Sequence, residues 1–558
     1  MLILMLNNRL VLSFSILCLL MSACKVDEPD SGSDDAGKPQ NIIKVRDYGA
    51  VPNDGFCDIE AIGKAVLAAS GVKSPVLEFE RGTYDLYVGD AARNVAISIT
   101  GIDNLTIRGA VDRKQQPATL FLRHYDMAPN ISATKILLVN DCYNLSVENL
   151  RFDNEPKYMA SGIVTSNDGG TVGIRLLDGC EAPEESYMYC CNLWDPLTGD
   201  LKHVTSVTYG DDVDRNPSEY IARSAGAGSV MVTSDQIASN VSVGDGISWH
   251  FGWSGLQVDF RYCDNLELSN IESNSAIGFH MQTSYCRNIS ASGVRIARKG
   301  SNYCVGSRDG WKMYMCTGNV DIRDMFCEGV RWDGQNVHGK FLYVKEVLND
   351  YQLKLSFNGA PIERILPGDK MGVWMDRDTE VLLTVSQYDC SLDPDNKTCV
   401  VTFKEQLPDN LGVGHYLNVY SHICDYSLRN SEFRNIAGCA SLIRNDNSEI
   451  SGNTFYNIMY PAICVGGDLS NEGVTSKNVV IENNTIEQSA WVDRNKRKGA
   501  ISVGVAPSSG LIQPFIRNVK IRNNSISGSD IGIHLNSVKD VTLEGNVFSS
   551  CGTDVKEE

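Results

Sequence analysis

Asp309 and Asp333 stand 24 residues apart in the densest run of chemically able side chains in this 558-residue chain. The run reads Ser307-Arg308-Asp309-Gly-Trp311-Lys312, then Glu328-Gly-Val-Arg-Trp332-Asp333-Gly-Gln-Asn336-Val-His338-Gly339. Two carboxylates among aromatic platforms and polar neighbours suit acid–base work on a sugar acetal. One carboxyl protonates the leaving oxygen while the other activates water or attacks the anomeric carbon. Two close like charges also push their pKa values apart, which separates acid from base. The competing reading is structural: Asp beside Gly is a common turn pair, and the Trp residues could be core.

What would bring these residues together is a repeat. Short aliphatic strands recur, each opened by a polar residue: Asn104-Leu-Thr-Ile, Asn144-Leu-Ser-Val, Asn265-Leu-Glu-Leu, Asn288-Ile-Ser-Ala, Asn319-Val-Asp-Ile, Asp425-Tyr-Ser-Leu, Asn478-Val-Val-Ile, Asn518-Val-Lys-Ile and Asp540-Val-Thr-Leu. Several steps are 22 or 23 residues, others 31 and 40. Self-similarity at such periods marks a stacked-repeat fold. The unit is too short and too β-rich for paired helices, and it suits one coil of a parallel β-helix. Period-two alternation turns one face of each strand inward, and only a stack of coils buries that face. Asn suits the bends because it tolerates left-handed backbone. The interval from Asp309 to Asp333 is one coil, so the two are expected side by side at the mouth of one pocket. The exposed edge of a coil stack needs a cap. Ile59, Ile62, Val66 and Ala69 lie on one helical face and supply it, with Asp58 as candidate N-cap.

Composition bounds the rest. The chain is 42% hydrophobic, ample for a large core, and carries a net charge of −19. That acidity argues against nucleic acid, which wants a basic patch. Arg9 and the apolar run from Leu10 to Leu20 read as an export signal, too short for a comfortable membrane span. Of 18 cysteines, several are spaced like coils (263 and 286, 304 and 327, 439 and 464), which suggests inward-facing thiols stacked as small hydrophobes. Cys390 and Cys399 flank a turn-rich loop and are the best candidates for a bridge. There is no Cys-x-x-Cys, so a zinc site is rejected. Asp212-Val-Asp214-Arg-Asn216 begins like a calcium loop, but Pro217 stands where Gly is required, and the stretch reads as a solvated loop. No cofactor is expected.

Two stretches break the rhythm, about 165–252 and 340–422. They share a phrase, Val243-Gly-Asp-Gly-Ile-Ser-Trp and Pro367-Gly-Asp-Lys-Met-Gly-Val-Trp, and read as two related β-barrel-like insertions beside the coil face that holds the site. The expected organisation is a signal (1–23), a lipidated Cys24 with a disordered tether (24–42), a cap and first coils (43–164), an insertion (165–252), central coils with the active site (253–339), a second insertion (340–422) and C-terminal coils (423–558).

Several segments resemble known families. Val45-Arg-Asp-Tyr-Gly-Ala and Leu77-Glu-Phe-Glu-Arg-Gly-Thr-Tyr resemble the opening of pectin-degrading β-helix enzymes. Leu20-Met-Ser-Ala-Cys24 resembles a bacterial lipoprotein cleavage box, and Lys25-Val-Asp-Glu-Pro-Asp the surface-export signal of Bacteroidetes lipoproteins. These imply a chain lipid-anchored through Cys24 at the outer membrane or cell surface. Arg308-Asp309-Gly-Trp-Lys-Met, followed by Phe326-Cys-Glu-Gly-Val-Arg-Trp-Asp-Gly-Gln-Asn-Val-His-Gly, resembles glycoside hydrolase family 110, the inverting alpha-1,3-galactosidases. Asn274-Ser-Ala-Ile-Gly-Phe-His280-Met-Gln282 and the coil from Asn453 to Asp468 agree with that family. Its β-helix with inserted barrels also fits.

The resemblance implies that Asp309 and Asp333 match catalytic aspartates and that Trp332 replaces a third. Glu328 is then a substitute acid, or two carboxylates suffice, or the chemistry has changed. Trp332, Trp311, Asn336, His338, Gln282, His280 and Arg444 become candidate sugar contacts, and Arg308 either binds an anionic or polar sugar group or pairs with a nearby acid. The expected function is an exo-acting, inverting glycoside hydrolase releasing terminal alpha-linked galactose or a related sugar. The alternatives are a polysaccharide lyase using Lys312 and Arg308, and a non-catalytic glycan-binding lipoprotein. The sequence leaves the oligomeric state open.

Overall fold

The computed structural model describes residues 41–88, 95–125, 135–359, 362–393 and 397–493, and 498–558. The expected signal, Cys24 and the tether up to residue 40 lie outside the described residues. Residues Asn41–Glu558 form one compact unit.

The chain winds as a parallel β-helix. One wall is an eleven-stranded parallel sheet that includes Leu256–Arg261, Phe279–Ser284, Trp311–Tyr314, Gln335–His338 and Ser441–Arg444 in successive coils. The other faces merge into a 21-stranded sheet, because long strands such as Tyr143–Glu155 and Asp264–Ser273 run around a corner. Inside lies one continuous apolar column, from Val45 near the start to Leu535 near the end.

The repeated Asn residues do the work expected of them. Asn104, Asn144, Asn265 and Asn288 all have φ between 53° and 54°, the left-handed region that Asn enters most readily among non-glycine residues. Each side-chain amide donates to the Asn one coil back: Asn144 to Asn104 at 2.9 Å, Asn265 to Asn144 at 2.8 Å, Asn288 to Asn265 at 3.0 Å. A second, buried ladder runs Asn453, Asn484, Asn524, Asn546.

The helix Ile59–Ala69 covers the first coil with Ile59, Ile62, Ala65 and Ala69 buried. Asp58 precedes it but does not cap it. Its carboxylate accepts instead from the amides of Val51 at 3.0 Å and Asp85 at 2.9 Å, which are already in reach and tie the helix to the first coils. Burial raises the Asp58 carboxyl to about 6.

The first insertion is a seven-stranded antiparallel sheet, its strands running from Met159 to His250 with their own apolar core. The second closes as a six-stranded barrel from Phe341 to Val419. The shared phrase has a shared job: Asp245 accepts the Ser242 amide and Asp369 the Leu366 amide, each at 2.8 Å, in the turn just before a strand. After each excursion the chain returns in register. Asn265 stacks on Asn144 across 121 residues, and Asp333 meets Cys439 across 106.

The cysteines depart from expectation. Cys263, Cys286 and Cys327 face the coil interior, but Cys304, Cys439 and Cys464 pack in an outer cluster with Trp194 and Tyr303. A coil-length interval repeats a position, but the corners between strands decide which way that position faces. Cys390 and Cys399 are free thiols. The strand pairing slips between Asp389 and Asp393, the stretch that would have to align the two sulfurs.

Candidate active site

The register places Asp309 beside Asp333. Trp311–Tyr314 pairs with Gln335–His338 residue for residue, and the Gly310 amide donates to the Asp333 carbonyl at 2.8 Å. The glycines after the two aspartates explain the motif. A Cβ on Gly310 would lie 2.6 Å from the Gly334 carbonyl and 3.0 Å from the Cys327 sulfur. One on Gly334 would lie 2.6 Å from the Ala440 carbonyl and 2.8 Å from the Phe433 ring. Both glycines face the crowded interior, so the preceding aspartates face out. Neither glycine has a left-handed φ, so these Asp-Gly pairs are not the turns that composition alone suggests.

Both carboxylates lean toward the following coil. Asp333 Oδ1 accepts the Cys439 amide at 2.8 Å, and Asp309 Oδ2 accepts from Asn336 Nδ2 at 3.4 Å. Asp309 is 2% exposed and Asp333 0%. The expectation of a shared pocket mouth therefore needs correction: neither aspartate lines the two cavities that flank them.

One flanking cavity, of about 310 Å³, lies over the outward residues Gln282, Lys312, Tyr314 and His338, with Lys340 and Glu472. His338 Nδ1 donates to the Gly339 carbonyl at 2.8 Å, and burial with the nearby Lys312 and Arg444 holds its pKa well below the usual histidine value. The ring is neutral, with Nε2 left as the lone-pair nitrogen 3.8 Å from Glu472. The other cavity, of about 280 Å³, lies against the first insertion and is walled by Tyr209, Trp253, Trp332, Arg308 and Arg331.

Among the expected contacts, Gln282, His338, Arg308 and Trp332 line a cavity, and Asn336 holds Asp309. Three others do not serve as expected. Trp311 is inside the coil, 0% exposed, its indole N–H donating to Thr283. His280 is also interior, its Nδ1 bonded to Ser273 at 2.6 Å, and burial lowers its pKa to about 3. Strand alternation directs Trp311 inward beside Met281, whereas His280, two residues before the outward Gln282, is inward at the start of its strand, where the alternation breaks. Arg444 is buried in an ion pair with Glu472. Glu328 is held by Arg298, which also donates to the Gly199 carbonyl and so anchors the first insertion. Asp212 and Asp214 belong to a short helix, Gly210–Arg215, rather than a solvated loop. Their carboxylates are engaged by Arg215, Tyr189 and Trp253. Sequence reasoning did not find Tyr209, Arg331, Lys340 or Glu472. Tyr209 and Glu472 come from irregular segments with no periodic signal, but Arg331 lies within the motif itself and Lys340 directly after it.

Comparison with known proteins agrees with this architecture. Residues 418–555 match the model of the right-handed β-helix region family. Alpha-1,3-galactosidase B of Bacteroides thetaiotaomicron is 21% identical over 549 residues, covering 91% of this chain and 86% of that protein. Alpha-1,3-galactosidase A of Shewanella woodyi is 23% identical over 532 residues, covering 86% and 81%. A solved exopolygalacturonase from Thermotoga maritima covers 93% of this chain and 91% of its own, with 10% identity and a TM-score of 0.43. The chain is a right-handed parallel β-helix. Over most of its length its sequence is distantly similar to the two alpha-1,3-galactosidases.

Proposed function

We propose that this chain is a glycoside hydrolase that removes a terminal alpha-linked galactose or a related sugar, with Asp309 and Asp333 as acid and base. The observation that carries the reading is their identical register position on consecutive coils, both facing outward. Two curated relatives named as alpha-1,3-galactosidases support the reaction class. The two cavities, bounded by the insertions, favour recognition of a chain end over a long open groove. Burial of the pair keeps bulk water from the developing charge, where fixed dipoles act most strongly.

Inversion is the stereochemical outcome we propose. Adjacent coils are about 4.8 Å apart, whereas an inverting pair is separated by about 6.5–9.5 Å. Asp309 Oδ2 accepts from Asn336, three residues beyond its register partner, and a carboxylate drawn that way along the strand would support the wider gap. Coil spacing alone would favour retention, at about 5–5.5 Å. The test is to incubate the chain with a panel of alpha-linked galactosides and follow the first-formed anomer by NMR. A beta-anomer supports the proposal. An alpha-anomer overturns inversion, an unsaturated product absorbing in the ultraviolet makes the chain a lyase, and binding without turnover makes it a glycan-binding protein.

We further propose that Cys24 is lipidated and holds the protein at the outer membrane or cell surface. Among the described residues no helix is long and apolar enough to cross a membrane. Labelled palmitate should enter the wild-type chain and not Cys24→Ser; equal labelling would remove the proposal.

A further inference from the structure

The cavity against the first insertion holds two arginines without acidic partners. Arg331 is 2% exposed and donates one Nη to the Ala437 carbonyl at 2.8 Å, while its Nε and other Nη have no hydrogen-bond partner. The guanidinium lies between two rings, 4.8 Å from Tyr209 and 5.0 Å from Trp332. Arg308 lies over Trp253 at 4.8 Å and Phe279 at 4.7 Å, and its Nε also lacks a partner. Neither arginine has an ion pair among the described residues. The other charges of this cavity are Asp211, Asp212 and Arg215. Arg215 pairs with Asp212 at 2.8 Å, and Asp212 also accepts the Tyr209 amide. Asp211 is an exposed group at the rim.

Such an arrangement is costly without an occupant. A buried guanidinium with free N–H groups loses hydration that nothing in the protein restores. The planar fork matches carboxylate and sulfate oxygens in pairs, which a hydroxyl group cannot reproduce. The aromatic walls supply the flat apolar surface on which a sugar ring rests. In a chain of net charge −19, two cations with no ion pair among the described residues point to an external anion.

We propose that this cavity takes a sugar carrying an anionic substituent, a carboxylate or a sulfate ester, with Arg331 and Arg308 as its partners and Trp332 and Trp253 as its walls. That the occupant is a sugar rests on the hydrolase reading; that it is anionic does not. The substituent would meet Arg331, next to Trp332 and two residues before Asp333 on the same coil. The preferred substrate would then be a uronate-bearing or sulfated glycan rather than a neutral one.

Calorimetric titration of the full chain with galactose, galacturonic acid and galactose 6-sulfate tests this directly. At least one anionic sugar should bind about tenfold or more tightly than galactose, the scale of a charged hydrogen bond. The preference should shrink with added salt. Which anion is preferred distinguishes carboxylate from sulfate. Arg308→Gln, at the more accessible of the two sites, should reduce the preference severalfold, and Arg331→Lys, which keeps the charge but loses the fork, should reduce it further. Equal binding of all three sugars, absence of binding by either anion, or an unchanged preference in both variants overturns the proposal. Anionic preference with no hydrolysis of any glycoside would instead sink the hydrolase reading and leave the anion site standing.

Discussion

Asp309 and Asp333 hold one register position on consecutive coils, joined by the Gly310 amide donating to the Asp333 carbonyl at 2.8 Å. The glycine after each aspartate turns inward because no side chain fits there, and that fixes the acid outward. A two-residue motif, repeated one coil later, thus builds an acidic pair from local sterics and a parallel register.

Gly310→Ala should therefore injure both fold and site. The added methyl would stand 2.6 Å from the Gly334 carbonyl, an overpacking that costs about 1–3 kcal/mol. Urea unfolding should show the lowered midpoint, and activity should fall with it. An unchanged midpoint and rate would mean that the coil has more room than its geometry shows.

The buried Asn ladder carries measurable stability. Asn484 donates to the Ile450 carbonyl and to Asn524, and receives from the Asn453 amide and side chain. Asn484→Ala leaves several of these buried groups unmatched and should cost about 3 kcal/mol, read by denaturant titration. A loss below about 0.5 kcal/mol would show the ladder to be ornamental.

Trp332 replaces an acid that the resemblance leads one to expect, and it faces a cavity instead of the coil interior. Trp332→Ala should raise KM about tenfold and leave kcat within about twofold, the mark of lost uniform binding. A large fall in kcat with KM unchanged would instead place the indole in the chemical step.

How much of this could be read from the sequence depends on the signal. The coil stack was readable because Asn at a bend and aliphatic residues at period two obey local rules. The pairing of Asp309 with Asp333 followed from one coil-length interval. Facing did not follow so simply. Trp311 and His280 sit in the same motifs as true cavity residues, but alternation sends Trp311 inward and a break in alternation at the start of its strand sends His280 inward. Cys304 and Cys327 share the expected spacing and still face different cores. Tyr209 and Glu472 reach the site from irregular segments, through long-range packing that leaves no periodic trace.

The interior histidines predict an acid-side loss of stability. Burial lowers His250 and His280 from 6.5 to about 3. A pKa depressed on folding means that the unfolded chain takes up the proton first. The contribution is whole above pH 6.5 and declines as pH falls toward 3, by about 1.4 kcal/mol per unit for each histidine. His280→Asn should make the acid limb of a stability–pH curve shallower by about one proton. An identical slope would show that His280 is not neutral in the fold.

The most direct measurement is the steady-state rate of Asp309→Asn and Asp333→Asn on the best galactoside, beside the thermal midpoint of each variant. We expect each kcat/KM to fall by about 10²–10⁴, the range of lost general acid–base catalysis, with the fold retained. Rates equal to wild type in either folded variant would contradict its assigned role.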